Sequence, residues 1–171
     1  MKKRIRVVSN GVGEDVIGTT LANAVDLDQF DVLPCPLVGK GSPYKNNGFL
    51  PVFDQDFLPS GGFLRGPLAI FNDLSTGLLK TTFSQHAFLK QMSVDLQLVI
   101  GDVFALLMAT IGQDIPTIFF PSAKSQRAIP HSSLEFILIK KRANLVFPRD
   151  VETHQAMLDR GIASKFFGNP M

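Results

Sequence analysis

The sequence has little cysteine and little net charge, and each shortage excludes a class of protein. Cys35 is the only cysteine, which excludes an intrachain disulfide and a cysteine-based metal site and fits a reducing compartment. The formal net charge of +2 gives no reason to expect nucleic acid as a partner. Disorder is disfavoured because 45% of the 171 residues are hydrophobic and only 19% are charged.

Long apolar runs are also missing. The N-terminus is basic and then apolar, but its apolar part spans only a few residues, which is too short for a signal peptide. No window reaches the roughly 18 uncharged apolar residues that a membrane span requires. We therefore predict a cytoplasmic protein.

Short continuous apolar runs alternate with amphipathic segments along the chain. Strands of a parallel sheet that is covered on both faces read as continuous apolar runs. The pattern therefore predicts an α/β fold, a Rossmann-like parallel sheet with helices on both faces, formed by residues 1–171 as a single domain. Strands are predicted at residues 5–8, 31–38, 49–54, 96–102, 115–120, 143–147 and from 165 onwards.

Several helices carry recognisable start and stop signals. Ser132 and Glu135 form the pattern of a capping box that opens a helix at residues 134–142. Asp150 is a typical N-cap for residues 151–160, and Gly161 can end that helix. Further helices are predicted at residues 16–25, 67–91 and 103–112.

The first loop, "SNGVGEDV", lies where a doubly wound sheet binds ligands, at the carboxyl end of a strand. Gly11 and Gly13 fit a tight turn that lets the backbone approach a ligand closely. Glu14 and Asp15 would repel a phosphate there. The loop therefore favours hydroxyl-rich ligands over a pyrophosphate, and the alternative is that the glycines only make the strand-to-helix turn.

A dinucleotide site is poorly supported. Its fingerprint needs a third glycine, where Val16 stands, and an acid after the second strand, where residues 34–36 read Pro-Cys-Pro. A Walker lysine is absent as well. A nucleotide-dependent enzyme that uses the first loop for phosphate is therefore the weakest of the alternatives.

Five stretches together resemble the N-terminal half of a bacterial, mostly cyanobacterial family related to lipid-A-disaccharide synthase. They are "SNGVGEDVIG", "LPCPLVGKGSPYKNNG", "LPSGGF", "IGDVFALL" and "FFGNPM". The first loop more distantly resembles that of lipid-A-disaccharide synthase itself and of the glycosyltransferase that makes lipid II. The family usually has histidine between the two glycines of this loop, whereas this chain has Val12, which removes any role that needs an imidazole.

The resemblance implies a GT-B glycosyltransferase, in which two Rossmann-like domains face a cleft. The N-terminal domain of such enzymes holds the acceptor, and the C-terminal domain holds the nucleotide-sugar donor. The chain would be the acceptor half with its donor domain absent. We therefore expect a hexosyltransferase only as part of a two-domain enzyme, with no activity in isolation.

The resemblance also implies which residues act in catalysis. Asp102 follows a strand, and we expect it at the same edge as the first loop, where a carboxylate can serve as the general base for an acceptor hydroxyl. An N-cap of the following helix is its alternative role. Asp15 aligns with the aspartate of the synthase's first loop and is the second catalytic candidate. Complementing the helix dipole is the alternative for Asp15 and Glu14.

Two loops are candidates for substrate binding. In the first loop these residues are Asn10, Gly11, Gly13 and Glu14, whose carboxylate can accept hydrogen bonds from sugar hydroxyls or act as an alternative base. In the second they are Ser60, Gly61 and Gly62, with a plain turn as the alternative. Lys40 can meet a phosphate of a lipid acceptor or be an ordinary solvated lysine.

The resemblance implies no cofactor and no metal, and the three histidines lie far apart in sequence. It implies a nucleotide-sugar donor, held by the missing domain, and a lipid-linked acceptor. Residues 63–90 combine apolar positions with basic ones, so they can lie peripherally on the inner face of a membrane or pack on the core as a helix pair. The alternative function is a non-catalytic Rossmann-like module that binds a small ligand or a membrane surface.

Overall fold

Five parallel strands form one sheet in the part of the chain that the computed structural model describes, residues 1–52 and 78–168. The strand order is β2-β1-β3-β4-β5. The elements are β1 (Lys3–Ser9), α1 (Val12–Asn23), β2 (Phe30–Pro36), α2 (Ser42–Asn46), α3 (Leu78–Gln91), β3 (Leu96–Ile100), α4 (Val103–Thr110), β4 (Thr117–Phe120), α5 (Ser133–Arg142), β5 (Leu145–Val146) and α6 (Val151–Leu158).

The two faces of the sheet are each covered by helices, as predicted. Successive side chains of a strand point to opposite faces. Val7 accordingly packs in a cluster with Ile17 of α1 and Tyr44 of α2. Val8 packs on the other face in a larger cluster, to which α3, α4, α5 and α6 all contribute. Burial on both faces explains why the central strands are mostly apolar; the buried polar exceptions include Arg6 of β1 and Gln97 of β3, whose side chains hydrogen-bond to each other.

The predicted helix caps are confirmed. The Ser132 hydroxyl accepts from the backbone N–H of Glu135, and the Glu135 carboxylate accepts from the backbone N–H of Ser132. Asp150 caps α6 by accepting from the N–H of Thr153 at 2.7 Å. Gly161 follows α6 with a φ of 66°, the left-handed conformation that favours glycine.

The strand β2 contains Pro34 and ends at Pro36. The carbonyl of Pro34 accepts from the N–H of Val52, on the side of β2 away from β1. A proline whose nitrogen faces away from the neighbouring strand removes no hydrogen bond from the ladder. The prolines are therefore compatible with the position of β2 at one end of the strand order.

Several predicted boundaries shift by one to three residues, and three predicted elements differ more than that. Helix α1 begins at Val12 rather than at residue 16, so Gly13 lies in the helix and not in the turn. Residues 49–52 form no strand, and residues 53–54 lie outside the described residues. The last strand was predicted from residue 165 onwards, but residues 165–168 form no strand, and residues 169–171 are outside the described part. The preceding residue, Ser164, makes an isolated bridge with Val146.

The long helical segment predicted at residues 67–91 is described only from Leu78 onwards, as α3. Most of the segment considered for membrane contact, residues 63–90, therefore lies outside the described residues. None of the helices in the described ranges has the length and apolar character that crossing a bilayer requires.

Candidate functional site

A crevice opens between the carboxyl ends of β1 and β3. The chain passes from β1 to β2 on one side and from β3 through β4 to β5 on the other, so the strand order reverses between β1 and β3. Open α/β sheets bind ligands at this switch point. Ser9 is paired with Ile100 at the end of the two strands, so Asn10 and Gly101 leave the sheet side by side.

Asn10 and Asp102 are in direct contact across this crevice. The Asn10 side-chain amide donates to Asp102 Oδ1 at 3.2 Å, and the same oxygen accepts from the N–H of Ala105 at 3.0 Å. Gly101 has a φ of 141°, and a Cβ there would lie 2.9 Å from the Cβ of Asn10. The glycine is therefore required both by its backbone conformation and by the close approach of the two loops.

Asp102 is half-buried and caps α4, so both of its predicted roles are compatible with its position. Burial raises the pKa of its carboxyl, while backbone N–H groups, including those of Ala105 and Phe104, oppose that shift. The negative charge of Glu14 raises the pKa of Asp102 further. A carboxylate with a raised pKa is a better proton acceptor at neutral pH than an ordinary N-cap aspartate.

Glu14 connects the first turn of α1 to the loop that follows β4. Its carboxylate accepts from the hydroxyl of Ser122 at 3.0 Å. The carbonyl of Ser122 in turn accepts from the Arg149 guanidinium at 3.0 Å. A Cβ at Gly11 would lie 2.7 Å from the other Glu14 carboxylate oxygen, so the glycine leaves room for this side chain.

Asp15 lies beneath the crevice rather than in it. Only 1% of its surface is exposed. Its carboxylate accepts from the Ser9 hydroxyl at 2.6 Å, and Ser9 Oγ lies 3.1 Å from the Tyr44 hydroxyl. Burial raises the pKa of Asp15 to about 6, which the hydrogen bond from Ser9 partly opposes. This network ties the end of β1 to α1 and α2.

The structure thus brings some of the predicted site residues together and separates others. Asn10, Gly11, Glu14 and Asp102 share the crevice, whereas Gly13 lies on the exposed side of α1 and Asp15 faces the core. Lys40 is exposed in the loop after β2. Residues 60–62, the predicted second substrate loop, lie outside the described residues. The predicted roles of all these residues stay predictions.

Sequence reasoning missed Ser9, Tyr44, Ser122 and Arg149. Ser122 follows β4 by two residues and Arg149 follows β5 by three. Polar residues directly after parallel strands would have been the signal for both, because those positions share the carboxyl edge. Among the described residues, no three histidine, cysteine, aspartate or glutamate side chains are grouped as a metal site would need.

No protein-family model and no curated protein sequence matches the chain. Solved structures do match its fold. The S. aureus MnaA-UDP co-structure aligns with a TM-score of 0.64 at 17% identity, over 98% of this chain and 44% of that one. A UDP-N-acetylglucosamine 2-epimerase aligns with a TM-score of 0.66 at 14% identity, over 99% of this chain and 49% of that one. The UDP-GlcNAc 2-epimerase from Methanocaldococcus jannaschii aligns with a TM-score of 0.50 at 13% identity, over 97% of this chain and 45% of that one.

These likenesses show the fold alone, a Rossmann-like α/β domain of the kind found in GT-B-type proteins. The chain spans a little less than half the length of the solved structures that it matches.

Proposed function

We propose that this chain is the acceptor-binding half of a two-domain, metal-independent glycosyltransferase related to lipid-A-disaccharide synthase. The observation that carries the proposal is the pairing of Asn10 with Asp102 at the switch point between β1 and β3. It supports the predicted placement of a base and a sugar-binding loop on one rim of a cleft. Transfer then needs a second domain that holds the nucleotide-sugar.

Asp102 is the general base in this proposal. The acceptor hydroxyl gives its proton to the Asp102 carboxylate while its oxygen forms a bond to the anomeric carbon of the donor. The bond from that carbon to the nucleoside diphosphate breaks in the same step, and the configuration inverts. Asn10 fixes the carboxylate through its amide, and Glu14 accepts hydrogen bonds from other hydroxyls of the acceptor.

Asp15 has a positioning role in the proposal. Its side chain is buried, so it acts on the crevice through Ser9, which directly precedes Asn10. The buried hydrogen bond fixes where the β1 strand ends and therefore where the Asn10 side chain begins. Val12 is 62% exposed and provides an apolar contact where the resembling family has histidine.

The matched solved structures support a nucleotide-sugar as the other substrate, since one is a complex with UDP and others are named UDP-N-acetylglucosamine 2-epimerases. Those names also favour a second candidate function, one half of a UDP-sugar epimerase. An epimerase acts on the sugar of the nucleotide-sugar itself and has no separate acceptor, so transfer to a second sugar by a two-domain protein separates the two functions. A non-catalytic binding module is the third alternative, distinguished by the absence of transfer in a two-domain protein.

The test is an NMR titration of the ¹⁵N-labelled 171-residue chain with N-acetylglucosamine and, separately, with UDP and NAD. We expect the sugar to shift the amide signals of Asn10, Gly11, Glu14 and Asp102, and UDP and NAD to leave them unchanged. We also expect no turnover of a UDP-sugar by the chain alone. Sub-millimolar UDP binding at these residues without a sugar response would replace the acceptor proposal with a donor or epimerase function.

A further inference from the structure

Most of the buried polar atoms without partners in the described residues belong to one loop, residues 121–132, and to the start of α6, outside the crevice. Among the described residues, six buried side-chain nitrogen or oxygen atoms lack a hydrogen-bond partner, and four of them are Gln126 Nε2, His131 Nδ1, His131 Nε2 and Asp150 Oδ2. Such atoms destabilise a fold unless a ligand or an ordered water pairs with them. Their clustering therefore points to something that binds there.

Gln126 and Asp150 are held together at the start of α6. The backbone N–H of Gln126 donates to the Thr153 hydroxyl at 2.8 Å, and the N–H of Thr153 donates to Asp150 Oδ1 at 2.7 Å. The second Asp150 oxygen is one of the four atoms without a hydrogen-bond partner, although the Ser125 hydroxyl is close enough to lower the pKa of Asp150. The loop of residues 121–132 between β4 and α5 is thereby attached to α6.

His131 lies at the other end of this loop and is only 8% exposed. Its ring centroid lies 5.5 Å from that of Phe136. Burial lowers the pKa of His131, and Lys124 lowers it further, while Glu135 and Asp150 oppose the shift. The ring is therefore neutral at pH 7, so one nitrogen donates a hydrogen bond and the other accepts one.

The unpaired atoms match a neutral polar group. Gln126 and one His131 nitrogen offer donors, while the other His131 nitrogen and the Asp150 carboxylate offer acceptors. Burial raises the pKa of the Asp150 carboxyl, but hydrogen bonds from Thr153 and Ser125 and the charge of Arg149 hold it below its ordinary value. An ionised carboxylate disfavours a phosphate here. Lys124, the nearby cation, is paired with Glu135 at 2.8 Å. Hydroxyl and amide groups, which donate and accept, fit this set.

The cluster is continuous with the crevice. The same loop contains Ser122, whose hydroxyl donates to Glu14. The carbonyl of Ser122 accepts from Arg149, the residue that directly precedes Asp150. Residues 127–130 of this loop are exposed. A ligand at Asp102 that extends past Glu14 and Ser122 therefore contacts the loop to which Gln126 and His131 belong.

We propose that residues 121–132 and the start of α6 form a second subsite, which binds hydroxyl and amide groups of the acceptor sugar remote from Asp102. The inference rests on the proposed function for the identity of its ligand. It does not depend on Asp102 being the base, so the two can fail separately.

The experiment follows the side chains themselves in the ¹⁵N-labelled full chain, with N-acetylglucosamine as the probe. We expect the Gln126 side-chain amide signal and the His131 ring nitrogen signals to shift on the same binding curve as the Asn10 amide. Gln126→Leu and His131→Phe are each expected to raise the dissociation constant for the sugar at least about tenfold. The matched controls Gln155→Leu and His154→Phe change partnered residues of α6 and should leave binding unchanged.

Stability without ligand gives a second readout. Because the two subsite variants remove unpaired buried groups, both are expected to unfold at a higher urea concentration than the wild type. A merely structural role for these side chains would shift the midpoint downwards and would contradict the inference.

The outcomes separate the two proposals. If the sugar shifts Asn10 and Asp102 but neither Gln126 nor His131, the subsite is refuted and the proposed function stands. If only Gln126 and His131 respond, the subsite stands and the role of Asp102 falls. If the side-chain signals of Gln126 and His131 show contact with long-lived water and do not shift at any sugar concentration, the cluster is a hydration site and the inference is overturned.

Discussion

The buried carboxyl of Asp15 predicts an unusual dependence of stability on pH. Its pKa is about 6 in the folded protein against an ordinary value of 3.8. A carboxyl with a raised pKa keeps its proton in the fold, so its stabilising effect is fully present below about pH 3.8 and is lost as the pH rises through about 6. The size of the shift corresponds to about 3 kcal/mol.

Asp15→Asn is the perturbation that isolates this effect. Asparagine is neutral at every pH and keeps an oxygen that can accept from the Ser9 hydroxyl. The free energy of unfolding of the wild type should therefore fall relative to that of the variant by up to about 3 kcal/mol between pH 4 and pH 7. Taking the difference cancels the contributions of Glu135 and Asp150, whose lowered pKa values act in the opposite direction.

Urea unfolding followed by far-UV circular dichroism, at half-unit steps from pH 4 to pH 7.5, measures this difference. Asp31→Asn, an exposed aspartate on β2, serves as the control and should give a flat difference curve. The reasoning would be refuted by a flat curve for Asp15→Asn. It would also be refuted if the free energy of unfolding of the wild type rose relative to that of the variant as the pH rises. Either result would mean that Asp15 is ionised in the fold and that its partners offset its burial.

Two further substitutions test the packing and the proposed base. Gly18→Ala places a Cβ 1.9 Å from the buried Tyr44 hydroxyl and should cost about 1–3 kcal/mol in urea unfolding, whereas Gly13→Ala meets nothing within 4 Å and should stabilise α1 by up to about 1 kcal/mol. Asp102→Asn keeps an N-cap and should change the stability by less than about 1 kcal/mol, yet slow transfer in a two-domain protein about 10²- to 10⁴-fold. Asp114→Asn, an exposed control after α4, should change neither, and unaltered transfer in Asp102→Asn would exclude it as the base.

The parts of the fold that were predictable are those that local chemistry decides. A continuous apolar run ending in Gly101 and Asp102 is enough to place β3 and the start of α4, because aspartate satisfies the first N–H groups of a helix. The capping box at Ser132 and Glu135 is likewise contained within four residues. Such signals need no knowledge of the strand order.

The parts that were not predictable depend on contacts between distant segments. Helix α1 begins at Val12 although valine and glycine are weak helix formers, because tertiary packing outweighs propensity over so short a stretch. The bond between Glu14 and Ser122 joins residues 108 positions apart. The tolerance of Pro34 within β2 follows only once the strand is known to lie at one end of the sheet order.

In the proposed transferase, the charges around the crevice give a physical reason for dividing the substrates between two domains. Helices α1 and α4 both begin at the switch point, and helix N-termini ordinarily attract phosphate. Here those positions carry Glu14 and Asp102, with Asp15 beneath them, while Arg149 approaches only from the β5 side. A nucleoside diphosphate placed at these N-termini would meet like charges at short range, whereas an uncharged sugar would meet hydrogen-bond acceptors. Under the proposed function, the same carboxylates that disfavour the donor at this site are suited to deprotonate and orient an acceptor hydroxyl.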